Sequence, residues 1–380
     1  PTRLQSLRLP LSMKADKILR LKYSSSGSDI LALSSSAIIL VWKWQQHDEP
    51  KAKAKATTKM VPRLKQVKSG IIMTNDLPKS KPEESLPCMV VSNNDSYAVS
   101  ASGGRVSLFN LVTFETLTTF MPPQPTVTCL ALHPLDNNMV AAGMDDSTLH
   151  IFEASLNEVT NKLKGHSGRI TGLAFSHWLK SLISSGADAQ IIVWNFFSWK
   201  IQRNTFLKTS DGKAPAEPLD THVEFHKDER HFLAVNRTQL AIYDGQNLQC
   251  RKQWFVRDYW APISHAAFSG DSQSVYAAFL DGNVFIFHAP SLRVQYRIGP
   301  AAYMPSCISS KPYPLVIAPN PQEPNQFSIG LSEGGVVVLE PLESEGQWGV
   351  RVPAVDNPLS IATISGSGSD SDSGSCSDQG

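Results

Sequence analysis

Three side chains in the middle of the chain have the residue types of a hydrolase triad: His166, Ser184 and Asp188. In such a triad the histidine takes the proton of a serine nucleophile, and the carboxylate orients the imidazole ring. No GxSxG turn, which would present a nucleophilic serine, occurs in the sequence. We therefore predict that these side chains form a structural hydrogen-bond chain. We predict no catalytic residues and no enzymatic activity.

A second group has the residue types of a metal site: His222, Glu224, His226 and His231. Zinc is commonly bound by histidine and carboxylate side chains. The group lacks the HExxH spacing and has no cysteine partner, and alternation along a β-strand explains it better. We expect no metal ion and no other cofactor.

A third candidate site is the segment FVRDYWAP, which contains Arg257, Tyr259 and Trp260. Exposed aromatic rings beside an arginine are typical of protein interfaces. Together with Arg169 they are our candidate partner-binding residues. The alternative, in which both rings pack on the neighbouring repeat, stays open.

The stretch from Lys51 to Lys68 is a fourth candidate, with seven basic residues and no acidic one. Nucleic-acid binding, an acidic histone surface and nuclear import are possible roles for such a stretch. No aromatic residue is interleaved with the lysines, which weakens the case for single-strand binding. A solvated, flexible insertion is the favoured interpretation, and we expect no sequence-specific DNA binding.

The composition argues against partners recognised by overall charge and against a membrane. The 380 residues include 35 basic and 34 acidic ones, a net charge of +1. The longest apolar run, from Ala37 to Trp42, is too short to cross a bilayer. The five cysteines are scattered and never form CxxC, which suits a reducing compartment. Because the sequence begins at Pro1 without a methionine, we expect that either a tag or an N-terminal portion has been removed, and in the second case the chain is a piece of a longer protein.

An internal repeat runs through the chain and would position all of these residues. Seven apolar, strand-like runs end in a large hydrophobic anchor residue: Trp42, Phe109, Phe152, Trp194, Tyr243, Phe287 and Leu339. The shortest intervals between anchors are 42–44 residues, and the longer intervals contain loop-like insertions. A period of this length with four short strands is typical of a β-propeller blade.

The fourth unit, with GHSGRITGLAFS and LISSGADAQIIVWN, looks like a complete WD repeat. On that pattern the predicted blade brace consists of His166, Ser184, Asp188 and Trp194. The acid of the brace recurs six residues before the anchor as Asp146 and Asp281, and other residue types replace it in the remaining units. We therefore expect most blades to be held by packing more than by this network.

These patterns predict an all-β protein, a single seven-bladed WD-repeat propeller over residues 1–351, with a basic loop insertion at about 45–70. Residues 3–9 alternate in polarity, whereas no clear strand follows the last anchor. We expect this N-terminal segment to supply the outer strand of the last blade and to close the ring. Residues 352–380, rich in Ser, Gly and Asp, are expected to form a disordered tail.

Many stretches of the sequence resemble the Topless and Topless-related corepressors of plants, among them SLRLP, NNDSYAVSASGG, AAGMDDST, LKGHSGRITGLAFS, TQLAIYD and PLESEG. The resemblance covers roughly Leu4 to Val350 and is much more specific than a generic WD repeat. It implies the second of the family's two propellers. The family's helical N-terminal module and first propeller have no counterpart in these 380 residues.

The resemblance implies a nuclear, non-catalytic scaffold whose partners are proteins: transcriptional repressors and histone or deacetylase complexes. Two alternatives stay open. One is a substrate receptor of a ubiquitin ligase, although the Asp/Arg pair usual in that class is missing after Trp194 and Asn195. The other is a propeller enzyme, which would bring polar residues together in the central channel.

Overall fold

Alternating apolar residues and tight polar turns build a series of short antiparallel strands. The computed structural model describes residues 4–12, 16–45, 54–65, 73–75, 86–120, 125–136, 138–153, 158–304, 311–342, 348 and 350–352. The residues expected to form the C-terminal tail lie almost wholly outside these ranges, as do parts of the basic insertion. Among the described residues, no helix has the length and apolar character needed to cross a membrane.

The strands form seven sheets, which we number as blades in chain order. The strands of blade 1 are β2 (Ile18–Tyr23), β3 (Asp29–Ser34), β4 (Ile39–Lys43) and β5 (Arg63–Leu64). Those of blade 2 are β6 (Cys88–Val91), β7 (Tyr97–Ser102), β8 (Arg105–Asn110) and β9 (Thr116–Phe120). Those of blade 3 are β10 (Val127–Leu132), β11 (Met139–Met144), β12 (Leu149–Glu153) and β13 (Glu158–Leu163).

In the next two blades, as in the first three, the strands follow one another in sequence order from the channel outward. The strands of blade 4 are β14 (Ile170–Ser176), β15 (Ser181–Gly186), β16 (Gln190–Asn195) and β17 (Ile201–Phe206). Those of blade 5 are β18 (His222–Phe225), β19 (His231–Asn236), β20 (Gln239–Asp244) and β21 (Cys250–Phe255).

The last two blades combine distant parts of the chain. Blade 6 consists of β22 (Ile263–Phe268), β23 (Ser274–Phe279), β24 (Val284–His288), β25 (Arg293–Ile298) and, at its outer edge, β29 (Val350–Arg351). Blade 7 consists of β26 (Pro314–Pro319), β27 (Phe327–Leu331), β28 (Val336–Pro341) and, outermost, β1 (Leu4–Arg8). A short 3-10 helix, Pro300–Ala302, lies between the two blades in the sequence.

The ring is closed by the N-terminal strand, as the alternation of residues 3–9 predicts. Strand β1 pairs antiparallel with β28, from Leu4 opposite Pro341 to Arg8 opposite Val337. An ion pair of 2.7 Å between Arg8 and Glu333 lies at one end of this pairing. The β29 pairing with β25 is a feature that the sequence did not predict, because two residues are too few to show alternation.

The core lies between neighbouring blades, because each sheet packs one face against the preceding blade and the other face against the following blade. All seven anchor residues are buried in the third strand of a blade. In blade 4 the second strand is buried along its whole length, whereas the outer strand β17 is mostly exposed. Hydrogen bonds also join the blades: the Thr128 hydroxyl donates to the Ile170 carbonyl, and the Thr171 hydroxyl to the Thr221 carbonyl, both at 2.6 Å.

The described part of the basic insertion is anchored, contrary to the expectation of a solvated, flexible loop. Ala56 is buried, and the Trp44 indole N–H donates to the carbonyls of Thr57 and Met60 at 3.0 and 2.9 Å. The Thr58 amide donates to the Glu340 carboxylate of blade 7 at 2.9 Å. The segment therefore links the first blade to the last, a role that its lysine-rich composition did not indicate.

Candidate functional site

The candidate site lies on the face formed by the loops between blades and by the turns between second and third strands. We call it the brace face, since His166, in the loop between β13 and β14, and Asp188, in the turn between β15 and β16, belong to it. The register explains why these two segments meet, because Ile170 at the start of β14 pairs with Gly186 at the end of β15. The loop between β21 and β22 lies on the same face.

The structure brings the four brace residues together in one chain of hydrogen bonds. The Asp188 carboxylate lies 3.1 Å from His166 Nδ1, and His166 Nε2 lies 2.8 Å from Ser184 Oγ. Ser184 Oγ accepts the Trp194 indole N–H at 2.8 Å. Asp188 also accepts backbone N–H groups from Ser167 at 2.8 Å and Gln190 at 3.1 Å.

Electrostatics at the brace favour the ionised form of Asp188. Burial alone would raise the pKa of Asp188, but hydrogen bonds from His166 and from the Ser167 and Gln190 amides outweigh it and lower that pKa. An ionised Asp188 favours the imidazole tautomer with a proton on Nδ1, so Ser184 donates to Nε2. Ser184 is fully buried, with the Trp194 indole beside its hydroxyl, so this surface offers it no substrate.

Within the described residues, neither of the two recurring turn acids hydrogen-bonds directly to a histidine, although Asp146 interacts electrostatically with His150. Asp146 accepts the Thr148 amide at 3.0 Å, and Asp281 accepts the Asn283 amide at 2.9 Å. Each contact lies within its own exposed turn. A turn acid therefore stabilises a turn locally, and in blade 4 it additionally holds a buried network.

The candidate partner-binding residues occupy two inter-blade loops of the brace face, one before blade 4 and one before blade 6, and the loop before blade 5 separates them. Arg257 donates to the Tyr259 hydroxyl at 2.8 Å, and its guanidinium carbon lies 5.8 Å from the centre of the Trp260 ring. Arg169 belongs to the loop before blade 4, where it forms an ion pair with Asp220. The structure thus groups Arg257, Tyr259 and Trp260, and places Arg169 apart from them with a carboxylate partner.

The two aromatic rings of this loop have different environments. Tyr259 is 75% exposed, whereas Trp260 is half-buried and stacks on Phe285 with ring centres 4.7 Å apart. Trp260 also contacts Phe279 and Trp254 of the blade 5–6 core. A cavity of ≈ 310 Å³ beside the two rings is lined also by Asp281, Asn283, Phe285, Arg297 and Arg351. The exposed ring and this cavity form the partly apolar, partly charged surface that protein side chains fit.

The histidine-rich segment divides between two places. His222 and Glu224 belong to the innermost strand β18. His226 and His231 flank Asp228 in the turn after that strand, and His231 Nδ1 lies 2.7 Å from the Asp228 carboxylate. Within the described ranges, no group of three or more His, Cys, Asp or Glu side chains could hold a metal ion.

The sequence analysis named His222 only as a metal-site candidate and missed its grouping with His265 and Arg20, since the three residues come from different repeats. His222 of β18 and His265 of β22 have ring centres 5.0 Å apart, and Arg20 of β2 interacts electrostatically with both. Comparing the innermost strands position by position would have found them.

Two segments of the chain match a known repeat family. The WD domain, G-beta repeat model matches residues 114–153 and 157–195. Each match begins on the outer strand of one blade and ends on the third strand of the next. Sequence repeat and blade are therefore offset by one strand, the same offset that lets β1 close the ring.

Full-length relatives extend the match far beyond these two repeats. Protein TOPLESS of Arabidopsis thaliana is 54% identical over 363 residues, 95% of this chain and 32% of that protein. The chain is a relative of the Topless proteins. Topless-related protein 1 of Arabidopsis thaliana is 52% identical over 96% of the chain, and Protein TPR3 of Oryza sativa subsp. japonica 52% over 97%. The chain spans about a third of the length of these Topless relatives.

Proposed function

We propose that this propeller is a non-catalytic protein-interaction scaffold in Topless-type transcriptional corepression, acting in the nucleus. The observation that carries the proposal is the 54% identity with Protein TOPLESS along 95% of the chain. A closed propeller is a suitable scaffold, because its packed blades keep the loops of each face at fixed positions. The proposed partners are transcriptional repressors and histone or deacetylase complexes, in processes that include plant hormone signalling.

The proposed docking surface is the brace face around Tyr259. Arg257 holds the Tyr259 hydroxyl, so the ring keeps one orientation and loses little side-chain entropy when a partner covers it. Trp260, next to Tyr259 in the loop, stacks on Phe285 and so fixes the loop to blade 6. The cavity beside the rings can receive an apolar side chain, with Arg297 and Arg351 as donors to a partner's carboxylates or carbonyls.

The test measures histone deacetylase activity retained by the immobilised chain from plant nuclear extract. Tyr259→Ala should lower the retained activity about tenfold at limiting protein, as expected for loss of an exposed interface aromatic. Phe197→Ala is the matched control, because Phe197 is 72% exposed but lies in the turn between β16 and β17 on the opposite face. Retention no greater than that of an unrelated propeller would refute the scaffold role; equal loss in both variants would refute the docking surface.

A further inference from the structure

The innermost strands that surround the central channel have one equivalent position each at the same level, and together these positions form a ring. In each blade the anchor residue of the third strand pairs with one residue of the second strand. The ring residue, on the innermost strand, pairs with the second-strand residue three positions further along the chain. In blade 1, for example, Trp42 pairs with Ile30, and Arg20 pairs with Leu33. The ring at this level consists of Arg20, Cys88, Cys129, Gly172, His222, His265 and Val316. Because the innermost strands meet in ring order, these residues surround one axis.

The basic members of the ring converge within the channel. The ring centres of His222 and His265 lie 5.0 Å apart, although they come from different blades. Burial lowers the pKa of both histidines, that of His222 to about 4, and the positive charge of Arg20 lowers both further. Arg20 stands at the same level of the innermost strand of blade 1 and interacts electrostatically with both imidazoles.

Arg20 has no countercharge at this level. No carboxylate of the described chain lies within ion-pair distance of it, and its Nη1 donates to the Leu19 carbonyl at 2.8 Å. Burial raises the pKa of Cys88 to about 12 and that of Cys129 to about 11, so neither thiol supplies negative charge at neutral pH. Arg20 is half-buried beside the channel, so an anion that enters the channel can pair with its guanidinium.

The imidazole of His265 is fixed as a donor. Its Nδ1 accepts the Ile317 amide at 3.3 Å, so a neutral ring carries its proton on Nε2. A donor of this kind beside a guanidinium is the arrangement that binds phosphate oxygens, since arginine presents paired N–H groups to two of them.

The nearest carboxylate in the channel is engaged elsewhere. Glu224, two residues beyond His222, accepts the Phe268 amide at 3.2 Å and interacts electrostatically with Lys22. Burial raises the pKa of Glu224 to about 7, so at neutral pH it is about half protonated. Burial lowers the pKa of Lys22, which Asp95 and Glu224 partly restore. Among the described residues, the titratable and charged groups of the innermost strands that act on one another are Arg20, Lys22, Cys88, Cys129, His222, Glu224 and His265, and Asp95 acts on Lys22 from an exposed turn of blade 2.

We propose that Arg20, His222 and His265 form a binding site in the central channel for a phosphate-type oxyanion, either inorganic phosphate or the phosphate of a small phosphorylated molecule. The guanidinium binds two oxygens, and His265 Nε2–H donates to a third. Binding draws a proton onto a histidine, because a bound dianion favours the imidazolium form. For an oxyanion that keeps its charge over this range, such as sulfate, affinity therefore rises as the pH falls from 8 to 6. The site is independent of the Tyr259 docking surface.

The experiment is a calorimetric titration of the intact chain with inorganic phosphate at constant ionic strength, repeated with sulfate and with glucose 6-phosphate. We expect saturable phosphate binding that is at least about tenfold tighter than binding by Arg20→Gln. Arg203→Gln is the matched control, because Arg203 lies exposed on the outer strand β17, and it should bind as the wild type does. Sulfate keeps its charge between pH 6 and 8, so a stronger response to sulfate at pH 6 would report histidine protonation.

Imidazole NMR signals of the wild type provide a test that does not depend on variants. The signals of His222 and His265 should shift on phosphate addition and titrate at higher pH than without it. Phosphate binding without glucose 6-phosphate binding would assign the site to the inorganic ion. Absence of saturable binding, equal weakening in both arginine variants or unshifted imidazole signals would each overturn the proposal.

Discussion

Replacing Asp188 by alanine tests whether the four-residue chain on the brace face stabilises the propeller. The variant leaves three donors without their acceptor: His166 Nδ1–H and the amides of Ser167 and Gln190. The His166 side chain is fully buried, so its N–H cannot be rehydrated, whereas Ser167 is exposed and can find water. The unsatisfied His166 N–H costs about 1–3 kcal/mol, and the amide of the buried Gln190 adds less. We therefore expect the free energy of unfolding to fall by about 2–3 kcal/mol.

The matched variant is Asp281→Ala, which removes a turn acid of the same type from an exposed turn without a histidine. Water can replace Asp281 as the acceptor of the Asn283 amide N–H, so we expect the free energy of unfolding to fall by at most about 0.5 kcal/mol. Urea unfolding followed by tryptophan fluorescence compares the two free energies of unfolding, provided that the slopes are equal. Equal losses in Asp188→Ala and Asp281→Ala would refute the brace.

Three further predictions concern closure, the exposed loop and the channel. Deleting residues 1–10 removes β1 and exposes the edge of β28, so the truncated chain should melt at lower temperature and aggregate in light scattering. Tyr259→Ala should leave the thermal midpoint unchanged, whereas Trp260→Ala, which removes a stacked half-buried ring, should cost about 2 kcal/mol in urea unfolding. Because the pKa of Glu224 is about 7 in the folded protein and 4.5 when unfolded, the folded state binds more protons between these values and loses stability as the pH rises through them. The free energy of unfolding of Glu224→Gln, relative to that of the wild type, should therefore rise by about 1–2 kcal/mol between pH 5 and pH 8, after solvent screening is allowed for. The same difference between variant and wild type at both pH values would contradict the raised pKa.

The blades could be predicted from the sequence because each is a local unit with its own anchor and turns. The buried positions of Trp42, Trp194 and Leu339 follow directly from the repeat. Closure by the N-terminal strand was also predictable, since seven third strands require seven fourth strands and one was missing after Leu339. The two-residue strand β29 and the anchoring of residues 54–65 were not, because both depend on contacts between blades distant in the sequence.

The candidate site divides in the same way. The geometry of the brace was predictable because all four residues belong to one unit with fixed spacing. The environment of Trp260 was not, because Phe279 and Phe285, the rings that half-bury it, come from the following blade. Sequence alone shows an aromatic pair in a loop, and only the packing decides that Tyr259 is available to a partner while Trp260 supports the fold.

The channel ring shows a pattern that is regular in space but scattered in the sequence. Arg20, His222 and His265 are hundreds of residues apart at the extremes, and none stands in a motif with the others. Each occupies the same position of its repeat, so rotational repetition brings them to one level around the axis. In most soluble folds an isolated arginine flanked by apolar residues would be exposed to water on a sheet face. In this propeller Arg20 instead acts electrostatically on Cys88, Cys129, His222 and His265, which belong to four other blades.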